Sequence, residues 1–228
     1  MPEGVPPLAP EDAVELRAAA GTLARWLCSP HDLEDLAVGW LIGEGYVSGS
    51  SEIGPLSVDE ARLLVTLAAP SFDFSRSPAM PPTGPRREGP MLTRVLDDPG
   101  LLRPLFGAMF DAGTLRDLTG GVHTGCLVID GTVRFVREDV SRHCVVDKLI
   151  GAGARAEQPL DGAILLLSGR ISGVLAAKGA RAGVCAMATM SIPTTLAGAI
   201  AHAAGMTLFG RARSGEPHIY APGINGRA

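Results

Sequence analysis

Apolar positions along this chain change rhythm several times, and the changes predict its elements. Ala163 to Leu167 and Val184 to Thr189 are short continuous apolar runs, as expected of strands buried on both faces. Ile171 to Ala182 and Ser191 to Ala204 carry helical spacing, with Pro193 near the start of the second, and Met206 to Gly210 reads as a closing strand. Upstream, Gly125 to Asp130 and Thr132 to Val136 flank Gly131 as a strand–turn–strand hairpin, and Arg142 to Ala154 reads as a helix opening just after a pair of acids. Strand, turn and helix in repeated succession predict an α/β layer structure with helices on both faces of a sheet.

The first half is less regular. Residues 1–12 read as a loose arm. Ala13 to Cys28 fits either an Ala-rich helix or two short strands turning at Gly21-Thr22. Leu33, Leu36, Ala37, Trp40 and Leu41 share one face of a helix predicted from about Pro30 to Glu44, which Gly45 is placed to stop. Arg62 to Ala68 alternates weakly, as a strand does. Ala69 to Pro90 is rich in proline and without apolar period, a long loop of the kind that serves as a lid or stays disordered. Leu101 to Ala112 is a helix with Leu102, Leu105, Phe106 and Met109 as its stripe.

Composition narrows the function classes. With 46% apolar and 19% charged residues among 228, the chain can bury a sizeable core. A net charge of −4 without a Lys/Arg block argues against nucleic acid as a partner, while a small anion held by a few local cations fits. No apolar run has the length of a membrane span, and the Pro-rich start lacks a secretory pattern, so a cytoplasmic protein is expected. The cysteines (Cys28, Cys126, Cys144 and Cys185) form no C-x-x-C, so neither a zinc site nor a disulfide framework is expected, and no metal ligands stand out.

Four polar turns carry the candidate chemistry. They are Thr119-Gly120-Gly121-Val122-His123, the run Glu138 to Lys148, Ser168-Gly169-Arg170, and Ser191 to Thr195. The last three lie where strand gives way to helix, the edge at which open α/β sheets bind ligands. N–H groups at helix starts attract phosphate, and Gly120, Gly121 and Gly169 let a backbone approach closely. Arg142 and Arg170 offer bidentate forks, and Lys148 or Lys178 a point charge. Each piece also has a plain reading. Thr-Gly-Gly is a common turn, Ser191 before Pro193 a routine cap, Glu138 and Asp139 partners of a helix dipole, and His143 a structural histidine. P-loop, dinucleotide, nucleophile-elbow and zinc-deaminase signatures are absent. Cys126 and Cys144 are candidate nucleophiles. Cys144 is the better placed, at a helix start beside Arg142 and His143, where a thiolate would be stabilised; the plain alternative is a buried neutral thiol.

The segments Thr119 to His123, Glu138 to Gly151, Ser168 to Ser172 and Ser191 to Thr194, with Ser29 to Gly45, resemble the FdhD/NarQ family of formate dehydrogenase accessory proteins. The family shows T-G-G-x-H, E-D-V-G-R-H-N-x-x-D-K-x-x-G, S-G-R-x-S, S-x-x-T and P-x-D-L-E-x-L-A-x-G-F-L-x-x-E-G at these places. The resemblance implies a three-layer fold like that of cytidine deaminases, a mixed sheet between helices over residues 93–228. A smaller N-terminal α+β part, residues 1–92, would precede it. It further implies a homodimer that takes sulfur from a cysteine desulfurase and passes it to the molybdenum cofactor of formate dehydrogenase. The ligand so implied is a bis-molybdopterin guanine dinucleotide, or a guanine nucleotide. Its contacts would come from Gly120, Gly121, His123, Glu138, Asp139, Arg142, His143, Asp147, Lys148, Ser168, Gly169, Arg170, Ser191 and Thr194. A turn after the last strand, Arg211, Ala212, Arg213, Ser214, Gly215 and Glu216, would also touch it.

Departures from the family pattern bear on the sulfur step. Family members carry C-x-x-C in the loop that is Ala69 to Pro90 here, and this loop has no cysteine. Family Gly is Ser141 and family Asn is Cys144. Persulfide chemistry needs a thiolate. Either Cys144 or Cys126 has taken over, or the chain binds cofactor without transferring sulfur. Two other readings stand beside these: a nucleotide- or pterin-modifying enzyme using His143 and Glu138 as acid and base, and a non-catalytic docking protein.

Overall fold

A computed structural model describes residues 5–68, 72, 80–212 and 216–222. The ambiguous Ala13–Cys28 stretch is a hairpin, β1 (Asp12–Ala18) and β2 (Gly21–Cys28). Alternation decides it. Val14 and Leu16 face inward and are buried, while Glu15 on the outer face binds Arg17 on its own strand and Arg25 across the hairpin. Helix α1 (Leu33–Glu44) follows, and Gly45 ends it in the left-handed conformation, as expected from the sequence. It begins three residues later than Pro30 because Asp32 is itself left-handed, with φ 53°. Strands β3 (Leu56–Asp59) and β4 (Leu64–Leu67) complete a four-stranded mixed sheet in the order β2-β1-β4-β3.

Helices α2 (Pro90–Asp97), α3 (Leu102–Asp111) and the short α4 (Leu115–Thr119) lead into the second sheet. Its elements are β5 (His123–Ile129), β6 (Thr132–Asp139), α5 (Arg142–Arg155), β7 (Ile164–Leu167), α6 (Gly173–Ala182), β8 (Ala186–Thr189), α7 (Thr195–Ala203), β9 (Thr207–Gly210) and β10 (His218–Ala221). The six strands run in the order β10-β9-β8-β7-β5-β6. Strands β7, β8 and β9 are parallel, and β5, β6 and β10 are antiparallel to their neighbours. The α/β expectation therefore holds, with a mixed sheet between helical layers.

Strand alternation sorts the core onto the two faces of this sheet. Leu127, Ile129, Leu165, Leu167, Met187 and Leu208 face α1, α5, α6 and α7 and join the core of the first sheet. Cys126, Val128, Ile164, Leu166, Ala188 and Phe209 face α2 and α3. Residues 80–89, part of the Pro-rich stretch, are strapped down by Arg86. Its guanidinium donates to the carbonyls of Ala204 (2.8 Å) and Ala180 (2.6 Å), at the C-terminal ends of α7 and α6.

Helix α1 is buried almost all round, because the first sheet covers one side and α5 and α6 the other. Its crossing with α5 is backbone against backbone. A Cβ on Gly39 would lie 1.7 Å from the Asp147 carbonyl oxygen, and one on Gly151 would lie 1.9 Å from that of Asp35. One turn beyond Gly39, a Cβ on Gly43 would lie 3.1 Å from Asp147 Oδ1, a side-chain rather than a backbone contact. No rotamer relieves a collision with backbone. Gly39→Ala should therefore destabilise the protein by about 3 kcal/mol, the upper end of ordinary overpacking, or more. Gly107→Ala in α3, where a Cβ meets nothing, should stabilise by about 0.5–1 kcal/mol. Urea unfolding midpoints of the two variants check the contrast.

Candidate functional site

Sheet register brings the polar turns together. The C-terminal ends of the parallel strands β7, β8 and β9 share one edge. Strand β5 runs against β7, with Gly125 opposite Leu167, so its first residue, His123, lies on that edge. Strand β6 runs against β5 and ends there too, with Asp139 opposite His123. Thr119–His123, Glu138–Lys148, Ser168–Arg170, Ser191–Thr194 and Arg211–Ala212 thus all leave one side of the sheet. Glu216 precedes β10, and Arg213, Ser214 and Gly215 lie outside the described residues.

Hydrogen bonds stitch these turns to one another. The Ser168 N–H donates to the Thr124 carbonyl (2.9 Å), and the Thr124 N–H returns a bond to Ser168 Oγ (3.0 Å). Thr189 Oγ1 donates to the Gly169 carbonyl (2.7 Å) and accepts from the Ser191 N–H (3.0 Å). The Arg211 N–H reaches the Ser191 carbonyl at 2.8 Å, and the Ala212 N–H that of Thr189 at 3.1 Å. Thr194 caps α7 by accepting from the Ala197 N–H. The rim is a backbone lattice whose positions are fixed before any ligand arrives.

Over the lattice Arg142 sits beside two histidines, His123 and His143. A Cβ on Gly169 would lie 3.0 Å from His123 Nδ1 and 3.3 Å from Arg142 Cδ, so glycine is what lets the two side chains meet. Burial, then the charge of Arg142, lower the pKa of half-buried His123, and the same two causes lower that of His143, with Lys178 adding to them. Both shifts favour the neutral imidazole. Arg142 Nε is buried without a hydrogen-bond partner, and so is Ser172 Oγ at the start of α6. Among the described residues neither Arg142 nor exposed Arg170 has an ion-pair partner at the edge. Buried polar atoms are seldom left alone, which makes these two orphans candidate contacts for a ligand.

The acids of the region are spent inside the fold. Glu138 accepts from the N–H groups of Thr114 (2.8 Å), Leu115 (2.6 Å) and Arg116 (3.1 Å) at the start of α4, and from Thr124 Oγ1 (3.1 Å). With its lone pairs so engaged, Glu138 does not pair with His143 as acid and base; that expectation is corrected. Asp139 binds Lys148 at 2.7 Å with both side chains fully buried. It also accepts from the N–H groups of Ser29 and Ser141. Lys148 donates as well to the Ser29 carbonyl (3.0 Å), so it is a strut between the link after β2 and α5 rather than a free point charge. Asp147 binds Lys178 (2.8 Å), which also binds Glu44 (2.7 Å). Burial pushes the Asp147 carboxyl up to about 6 against the pull of Lys178. Burial draws Lys178 down, but Asp147 and Glu44 outweigh it and leave its pKa raised.

Neither candidate nucleophile is poised. Cys126 is fully buried, and burial alone raises its thiol pKa strongly. Cys144 does open α5, but it faces the core at 3% exposure. A hydrogen bond with Cys28, then burial and the nearby Asp139, raise its pKa far above that of a free thiol. The expected stabilisation of a Cys144 thiolate by Arg142 and His143 is thereby corrected.

The FdhD/NarQ family model matches residues 9–81 and 93–224, most of the chain. The chain belongs to the FdhD/NarQ family. It is 30% identical over 214 residues to the sulfur carrier protein FdhD of Methanothermobacter thermautotrophicus, an alignment covering 91% of this chain and 86% of the relative. It is 32% identical over 253 residues to the protein of that name from Streptomyces coelicolor, covering 94% and 86%. A crystal structure of a formate dehydrogenase accessory protein from Desulfotalea psychrophila has the same fold. Its TM-score is 0.79 at 22% identity, over 94% of this chain and 88% of that one.

In this FdhD/NarQ chain, sequence reasoning missed Ser29, Asp35 and Ser172 as parts of the site and its support. Ser29 spends its N–H, carbonyl and hydroxyl on the 139–148 segment. Asp35 binds Arg137 and Arg155, both at 2.7 Å. The only signal for either was its place in the Ser29–Gly45 segment. The cluster makes a pH prediction. Removing the Arg142 charge takes away one reason for His123 to stay neutral. In Arg142→Ala, His123 should titrate at higher pH than in the wild type, read by NMR of the imidazole; an unchanged value would show that the two do not interact.

Proposed function

We propose that this chain is an FdhD-type accessory protein whose cationic sheet edge holds the phosphate-bearing part of a guanine-dinucleotide molybdenum cofactor during formate dehydrogenase maturation. The observation that carries the reading is the unpartnered Arg142 Nε on a rim whose adjoining acids Glu138 and Asp139 are engaged inside the fold. Arg142 and Arg170 would grip phosphate oxygens. Ser168, Gly169, Ser172, Ser191 and Thr194 would supply hydroxyl and backbone groups, and His123, His143, Gly120 and Gly121 would border the ligand. The cofactor, when bound, supplies the metal and its sulfur ligands; the chain supplies orientation and charge. The relatives' name, sulfur carrier protein, supports a place between a cysteine desulfurase and formate dehydrogenase. A homodimer in the cytoplasm fits that setting, and no helix among the described residues is long and apolar enough to cross a membrane.

In this reading the chain binds and presents cofactor without carrying sulfur on Cys144 or Cys126. Both thiols are buried with raised pKa, and the loop that bears C-x-x-C in relatives has no cysteine here.

Titration calorimetry with a guanine nucleotide tests the binding half. A charge-assisted hydrogen bond contributes about 1.5–3 kcal/mol, so Arg170→Ala and Arg142→Ala should each weaken binding by roughly tenfold or more. No heat with the wild-type protein, or an unchanged dissociation constant in both variants, would remove the edge as the site. For the sulfur half, the protein is incubated with a cysteine desulfurase and cysteine and then weighed intact. Its mass should not change, and a gain of one sulfur that Cys144→Ala abolishes would reverse the reading.

A further inference from the structure

Beneath the edge lies a pair of thiols that the binding role does not use. Cys28 closes β2 and Cys144 lies in the first turn of α5, far apart in sequence. Their sulfur atoms lie within 4.8 Å of each other and of an Asp139 oxygen, and both side chains are buried. Two sulfurs and a carboxylate suggest a soft cation, but the charges speak against one. Both Asp139 oxygens are engaged, by Lys148 and Ser29 on one side and by Ser141 on the other. An ammonium group 2.7 Å from the carboxylate would repel an incoming metal ion.

We infer that Cys28 and Cys144 are a modification site, a pair that forms an intramolecular disulfide joining the end of β2 to the first turn of α5. Two S–H bonds break and one S–S bond forms. The two electrons reduce a low-molecular-weight disulfide to two thiols, which take up the two protons, and the exchange passes through a mixed disulfide. Both partners are buried, so the oxidant reaches them only when the 28–32 link lifts from α5, and the reaction is slow in the folded protein. The product has no ionisable group and suits the apolar surroundings better than a thiolate does. It adds a covalent bond where Ser29, Asp139 and Lys148 already tie the same two elements, and it closes a long loop, the case in which a cross-link restricts the unfolded chain most. In a reducing compartment such a bond is transient.

The test uses the full chain, reduced and then held with excess oxidised glutathione until the product stops accumulating. Free thiols are alkylated under denaturing conditions and the digest is mapped by mass spectrometry. The expected result is a Cys28–Cys144 linked peptide with Cys126 and Cys185 alkylated. The melting temperature should rise by ~5 °C or more, reversed by dithiothreitol. Cys28→Ser and Cys144→Ser should each lose the response to oxidised glutathione, and Cys185→Ser should keep it. Should either serine variant fail to fold, the peptide map of the wild-type protein decides alone. Glutathione adducts without the linked peptide, or a link to Cys126 or Cys185, would overturn the inference. Nucleotide affinity plays no part in this readout, so the disulfide and the cofactor reading stand or fall separately.

Discussion

The close crossing of α1 and α5 is the constraint on which the rest of the molecule hangs. Gly39 and Gly151 remove the side chains that would hold the helices apart, and backbone of one meets backbone of the other. At that separation no water remains around Asp139, Asp147, Lys148 and Lys178, so each charge must find a protein partner. They do, in the Asp139–Lys148 and Asp147–Lys178–Glu44 groups. Buried ion pairs add little net stability over well-packed apolar residues, yet removing one partner costs about 3–5 kcal/mol. Such pairs act as a register lock: a one-residue slip of α5 on α1 would strand several charges at once. What the lock holds in place is the first turn of α5, and with it Arg142 and His143.

The same sorting of charge makes the rim cationic in a protein of net charge −4. The acids that flank the Arg142 turn are turned inward. Glu138 satisfies the open N–H groups of α4, Asp139 and Asp147 neutralise buried lysines, and Asp35 holds Arg137 and Arg155 at the side. Among the described residues Arg142 and Arg170 have no ion-pair partner, and Arg142 lies beside imidazoles whose pKa is lowered. A surface patch of arginines would be screened by mobile counter-ions. Here Arg142 is half-buried with its Nε out of contact with solvent, so its charge is less screened than that of a surface arginine.

Much of the fold was legible because it is written in local periodicity. The apolar runs of β7, β8 and β9 are four-residue strands buried throughout, and the helices between them keep their apolar spacing. Ala13–Cys28 was ambiguous because alanine favours helix, while the packing of Val14 and Leu16 that favours strand is tertiary. The short elements β3, β10 and α4 passed unnoticed, since four or five residues are too few to show a period. The site was legible as a set of turns on one sheet edge, which follows from strand order. The roles of its charges were not. Glu138, Asp147 and Lys148 read as lining a pocket, yet their partners are Thr114, Lys178 and Ser29, which no local pattern connects to them.

Cys144 shows how magnitudes decide between two correct principles. A helix N-terminus does favour a thiolate, and the family's asparagine at this position makes the cysteine conspicuous. The dipole, however, contributes a few tenths to about 1 kcal/mol near a surface, whereas stripping water from an anion costs several. At 3% exposure, with Asp139 alongside, the second effect wins and the thiol stays protonated. The features that orient Arg142 and His143, a tightly docked α5 and a dry layer beneath it, are the ones that silence the cysteine between them and the core. A nucleophilic thiol and a rigid cationic rim therefore make opposite demands on the first turn of this helix, and the packing of α1 against α5 meets the demand of the rim.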